Sequence, residues 1–150
     1  MLARVIGLGQ RAAGDDGAGI AVIEALRRAG VPEGVECAVA AGPSALVSLL
    51  WTPDRVIVVD AVVAPLGGEV IDIDVDRIDP SAPLGVSSHG LGVRQAIELA
   101  RLAEPELTSP DIRIVGVSIA RPSRYVERLS PVVAAAVERA AQRILELVGR

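Results

Sequence analysis

The sequence predicts an α/β three-layer sandwich: a mostly parallel, twisted sheet of about five strands with helices on both faces. Three observations predict it. Apolar strand-like runs alternate along the chain with stretches of helical period. The run Val56-Ile57-Val58-Val59 has no polar face, as in a strand covered on both sides. The 150 residues suit one domain over residues 1–150, long enough to bury roughly 70% of the unfolded surface without a covalent staple.

Each element follows in order. Residues 5–8 form a short apolar run that stops at Gly9. Ile20, Val22, Ile23 and Leu26 make a helical stripe that ends before Gly30, a residue suited to terminating helices. Residues 35–40 read as a strand, and Pro43 opens a short helix through Leu46, Leu49 and Leu50. The apolar run at 56–59 follows. Then Val70, Ile71, Ile73 and Val75 alternate with Asp72, Asp74 and Asp76, a period of two that predicts a strand near a sheet edge with one wet face. After Ser87-Ser88 a helix carries Val93, Ala96, Ile97 and Ala100 on one side. Residues 112–119 are another apolar strand. A last helix starts near Pro131 and buries Val133, Val137, Ala140, Ile144 and Val148. The order is β-α-β-α-β-β-α-β-α.

Composition removes several functions. The net charge is −4, and Phe, Lys and Asn are absent, so every basic residue is Arg. Without Lys there is neither a P-loop lysine nor a Schiff-base lysine. Mild acidity with almost no aromatics argues against a nucleic-acid partner. The lone Cys37 excludes an internal disulfide and a Cys-built zinc site, and its place inside a strand reads as a small core residue. No apolar run is long enough to span a bilayer, and no basic segment precedes a long apolar one at the start, so a cytoplasmic protein without a membrane partner is expected.

In open α/β sheets, sites form where strands end and the next helices begin. Three features fall at such junctions: Asp15-Asp16 between the first strand and first helix, Asp60 capping the run 56–59, and His89, the only histidine, opening the helix after Ser87-Ser88. Two carboxylates and an imidazole suit a divalent transition metal and leave coordination positions open. A helix N-terminus favours anionic Asp15 and Asp16 and keeps His89 neutral. Plainer roles compete. On residue type alone Asp15 or Asp16 reads first as a helix cap and His89 as a structural group, while Asp60 is as readily a partner for loop N–H groups. Joint placement at strand ends favours the site. The acidic stripe Asp72, Asp74, Asp76 and Asp79 lacks the glycine and distal glutamate of a calcium loop and reads as a solvated face. Gly7-Leu8-Gly9-Gln10-Arg11-Ala12 matches a dinucleotide fingerprint only in part, since Asp15 and Asp16 oppose a pyrophosphate and no acidic residue follows the second strand.

Gly7-Leu8-Gly9 with Gly14-Asp15-Asp16-Gly17-Ala18-Gly19 resembles the N-terminal signature of the hydrogenase maturation endopeptidases. The resemblance continues through Val58-Val59-Asp60-Ala61, Ser88-His89-Gly90-Leu91, Ile114-Val115-Gly116-Val117 and Leu129-Ser130-Pro131, covering essentially the whole chain. It implies a protease that removes the C-terminal extension of a nickel-iron hydrogenase large-subunit precursor after nickel insertion. It also implies that Asp16, Asp60 and His89 are the catalytic, nickel-contacting residues, that the precursor supplies the nickel, and that the precursor's cysteines complete its coordination. Asp15 is then a supporting residue. The chain departs from the family pattern at Gln10, at Ala40-Ala41-Gly42-Pro43 and at Ser118-Ile119, in loops the resemblance assigns to precursor contact.

Two hydrolytic schemes stay open. Either the metal polarises the scissile carbonyl or activates water while Asp16 or Asp60 assists proton transfer, or nickel only docks the precursor and a carboxylate activates water directly. The rival functions are a non-catalytic metal-sensing or docking module of the same fold, and a nucleotide-binding protein.

Overall fold

The computed structural model describes residues 3–9, 17–75, 90–120 and 129–149. In chain order these form β1 (Ala3–Leu8), α1 (Ala18–Ala29), β2 (Val35–Ala40), α2 (Pro43–Leu49), β3 (Arg55–Val63), β4 (Val70–Asp74), α3 (Gly90–Ala103), β5 (Ile112–Ile119) and α4 (Pro131–Val148). The order of strands and helices is the one the hydrophobic pattern predicts.

The strands build one sheet in the spatial order β2-β1-β3-β5-β4. Pairing is parallel except at β4, which runs antiparallel to β5. Strand β3 lies at the centre, and its β-branched run is buried from Val56 through Val62. That burial requires cover on both faces, and two apolar clusters provide it. Val5, Ile57, Val59, Val115 and Val117 face α1 and α4, which pack on each other. Ile6, Leu8, Val56, Val58 and Ile114 face α2 and α3, which also pack together. Each fully buried Leu, Ile or Val contributes roughly 1.5–3 kcal/mol relative to exposure.

Helix ends follow their sequence signals. Gly30 terminates α1 at φ +91°, a conformation that costs glycine little. Pro131 stands in the first turn of α4, where its missing N–H is no loss. Strand β4 is the predicted edge strand, with Asp72 and Asp74 exposed. Its acidic residues lie on the α4 side, and Arg143 of α4 donates to the Asp72 carboxylate at 2.9 Å through Nε. Asp76 and Asp79 lie outside the described residues. Cys37 differs from expectation. Strand β2 is an edge, so the thiol is only half-buried against the α1 cluster. No helix among the described residues is long and apolar enough to cross a membrane.

Candidate active site at the carboxyl edge of the sheet

Strand order places a switch point between β1 and β3. The chain leaving β1 turns through α1 to β2 on one side, whereas the chain leaving β3 leads to β4 and β5 on the other. The crevice outside two such strand ends is the usual ligand position in open α/β sheets.

Asp60 stands there. The last β1–β3 pair is Gly7 with Val59, so Asp60 is the first β3 residue beyond that pairing, while on its other side it pairs with Gly116 of β5. The expectation that Asp60 caps the strand needs correction, because β3 continues to Val63 and pairs with β5 throughout. A strand supported on one flank by a longer neighbour runs past the end of a shorter one. Alternation puts Asp60 on the face shared with α2 and α3. It is only 3% exposed, and its Oδ1 accepts the Ala61 N–H at 2.8 Å. A carboxylate embedded in an apolar strand is costly unless it is hydrogen-bonded, and that bond also fixes its orientation.

The glycines explain how α1 reaches this edge. A Cβ on Gly19 would lie 2.5 Å from both the Leu8 and Val59 carbonyl oxygens, and one on Gly7 would lie 2.5 Å from Ile23 Cγ1. The first turn of α1 therefore rests directly on the ends of β1 and β3, beside Asp60. Of the partial dinucleotide fingerprint, Gly7 is accounted for by this close packing. Gly17 is the N-cap residue of α1; the cap role considered for Asp15 and Asp16 falls on residues outside the described ones. On the opposite face Gly92, in the first turn of α3, packs on the ring of Pro43, which opens α2 after β2 ends. Helix α3 thus also starts at the carboxyl edge.

Of the three sequence-predicted site residues, Asp60 is described, while Asp16, His89 and the supporting Asp15 lie outside the described residues. Gln10 lies outside them as well. Of the described residues flanking these segments, Gly9 directly follows β1, Gly17 caps α1 and Gly90 opens α3. Among the described residues no three His, Cys, Asp or Glu side chains gather as metal ligands would.

Sequence reasoning missed the part played by Ser118. It is fully buried, and its hydroxyl donates to the Leu66 carbonyl at 2.9 Å and accepts the Glu69 N–H at 2.8 Å. It ties the β3–β4 connection to the end of β5. The one available signal was a lone serine inside an apolar strand.

Comparison with known proteins accords with this architecture. A family model described as hydrogenase maturation protease (HycI) matches residues 20–147, a span that includes Asp60 and His89 and begins after Asp16. The curated protein FrxA of Pyrococcus furiosus is 29% identical over 136 residues, covering 90% of this chain and 96% of its own. The structure of the [NiFe] hydrogenase maturation protease HybD from Thermococcus kodakarensis superposes with a TM-score of 0.81 at 20% identity, over 98% of this chain and 99% of that one. The hydrogenase maturating endopeptidase HybD of E. coli gives 0.76 at 23% identity, over 99% and 93%. These two likenesses establish the α/β fold. The match over residues 20–147 establishes more: the chain belongs to the hydrogenase maturation protease family.

Proposed function

We propose that this protease removes the C-terminal extension of a nickel-iron hydrogenase large-subunit precursor, recognising the precursor's nickel through Asp16, Asp60 and His89. The observation that carries the reading is Asp60 itself: a buried carboxylate at the switch point of the sheet, in a strand whose other buried side chains are apolar. A carboxylate kept in such surroundings has a use beyond solubility.

The donor set fits a borderline divalent ion. Oxygen from two aspartates and nitrogen from a neutral imidazole suit nickel, and three protein ligands leave positions open for the precursor's own groups. Nickel arrives with the substrate, so this chain's task is to hold and orient. Asp60, turned by the Ala61 N–H, supplies one fixed oxygen donor. Asp16 precedes the helix whose first turn rests on β1 and β3, and His89 precedes α3. Nickel supplies recognition and charge stabilisation. A carboxylate of the pair takes the proton from the attacking water.

The test is processing of a nickel-loaded precursor by Asp60→Asn, Asp16→Ala and His89→Ala, with thermal unfolding measured alongside. The expected result is loss of cleavage in each variant with the fold retained. Asp60→Asn keeps the shape and one acceptor for the Ala61 N–H, so it separates charge from folding. Wild-type-like cleavage in all three overturns the reading. Precursor binding without cleavage by the wild-type protein favours the docking-module alternative, to which the departures at Gln10, residues 40–43 and Ser118-Ile119 point; the last pair, expected in a loop, forms the end of β5.

A further inference from the structure

The connection from β3 to β4, residues 64–69, combines a hydrogen-bonded backbone with an exposed apolar tip at the carboxyl edge. Its backbone is held at nearly every position. The Ala64 N–H donates to the Ile119 carbonyl at 2.9 Å, and the Gly68 N–H to the Ser118 carbonyl at 2.8 Å. The Ser118 N–H donates to the Glu69 carbonyl at 2.8 Å. The Ser118 hydroxyl adds its bonds to Leu66 and Glu69, and Arg139 of α4 donates to the Gly68 carbonyl. Two residues on one strand oppose Ser118 on the other, with Gly68 at φ +91°, which is a glycine bulge. Gly68 is seated against Val132, so a side chain there is barred by sterics as well as by φ. Yet the apex of this rigid connection is Leu66, which is 70% exposed. A backbone already held in place loses little entropy when a partner covers the side chain it presents.

Its position gives the partner. The connection leaves β3 after Val63 and is tied to the end of β5, so it stands on the carboxyl edge. In the β3–β5 register Val62 pairs with Ser118 and Asp60 with Gly116. Ser118 is therefore one strand over and two residues along from Asp60, a Cα separation of roughly 8 Å from strand spacing and rise.

We propose that Leu66 is a substrate-docking residue, gripping an apolar side chain of the hydrogenase large-subunit precursor beside Asp60, and that Ser118 is the positioning residue that holds it there. This inference rests on the proposed function and names a contact for that substrate away from its nickel.

The experiment measures two quantities, the Kd of the nickel-loaded large-subunit precursor from the same organism and the KM and kcat of its cleavage. Leu66→Asp is expected to raise both Kd and KM by about tenfold, the loss of one apolar contact, with kcat unchanged. Ser118→Ala is expected to shift Kd and KM the same way, and Ser118→Thr, which restores the hydroxyl, to reverse the shift in part. Leu102→Asp is the control. Leu102 is 82% exposed near the end of α3, away from the carboxyl edge, and its substitution is expected to leave every constant unchanged. Wild-type Kd and KM in Leu66→Asp overturn the docking role while leaving the proposed function standing. A shift equal to that of Leu102→Asp overturns it too, as a general surface effect. Weakened binding in Leu66→Asp in the absence of cleavage by any form supports the contact and removes the protease reading alone. Failure of the wild-type protein to bind the precursor overturns both.

Discussion

The two edges of the sheet satisfy their polar groups in opposite ways. At the amino edge, side chains from different elements close on one another. Arg55 pairs with Asp111 at 2.7 Å and donates to the Leu147 carbonyl, Ser109 donates to the Asp54 carbonyl at 2.6 Å, and Trp51 Nε1 and the Thr108 hydroxyl both donate to the Ala100 carbonyl. At the carboxyl edge, packing rests on glycines, the Asp60 carboxylate is nearly sealed, and an apolar residue stands in water at the tip of a pinned loop. The amino edge spends its polar groups on cohesion. The carboxyl edge keeps chemistry near the surface and is held where α1 meets the sheet by close backbone approach, with Ser118 and Arg139 pinning only the β3–β4 connection. Loss of a side chain should therefore destabilise the first, and gain of a side chain the second.

The largest expected effect follows at Gly19. Gly19→Ala forces a methyl against two backbone carbonyl oxygens that cannot turn aside. It is expected to cost about 3 kcal/mol and to abolish precursor processing. Urea unfolding and a cleavage assay measure both. A stable, active Gly19→Ala protein breaks the contrast between the edges.

Next comes Arg55→Ala. It leaves Asp111 and the Leu147 carbonyl without this donor. The expected loss is about 2 kcal/mol, allowing for the solvent that reaches Asp111, with processing unchanged. The same pair has a pH signature. Burial works to raise the Asp111 carboxyl, but hydrogen bonds from Arg55 and then Arg113 outweigh it and hold it below the ordinary carboxylate value. A carboxyl lowered on folding stabilises above its unfolded pKa, and that share is lost as pH falls through the folded value. The stability difference between wild type and Asp111→Asn is therefore expected to be full at neutral pH and to shrink below about pH 4. Denaturation curves across that range check it, and a difference independent of pH overturns it.

The smallest effect is expected at Cys37. Burial pushes its thiol up, Arg27 pulls it the other way and Glu36 adds to the rise. The thiol stays protonated at neutral pH and should react slowly with iodoacetamide. Cys37→Ala on an edge strand should cost under about 1 kcal/mol and leave processing intact. A large loss of activity would place function on the wrong face of β2.

The element order was legible because parallel strands covered on both faces leave continuous apolar runs, and helices leave their 3.6-residue stripes. The interior stripes of α3 and α4 were readable residue by residue, from Val93 to Ala100 and from Val133 to Val148. What local pattern cannot carry is strand order. Cys37 looked like a core residue because nothing in residues 35–40 says that β2 is an edge. Asp60 looked like a strand terminus because a charge in an apolar run ordinarily ends it, and only pairing with β5 extends β3 further. The partners of Asp72 and Ser118 were illegible for a related reason. Arg143 is 71 residues from Asp72, and Leu66 is 52 residues from Ser118. Of the candidate site, residue types and their junctions were readable, and the depth of Asp60 was not.

The position of β3 also bears on how the chain is made. Its neighbour β5 is separated from it in sequence by β4 and α3, and Arg55 meets Asp111 across 56 residues. On a ribosome adding roughly 5–20 residues per second, that interval is roughly 3–11 s. Throughout it the most apolar strand of the molecule has one flank open to any other extended chain. The nascent protein is thus most exposed to aggregation between the emergence of β3 and that of β5. That window ends when β5 pairs with β3 and closes its open flank.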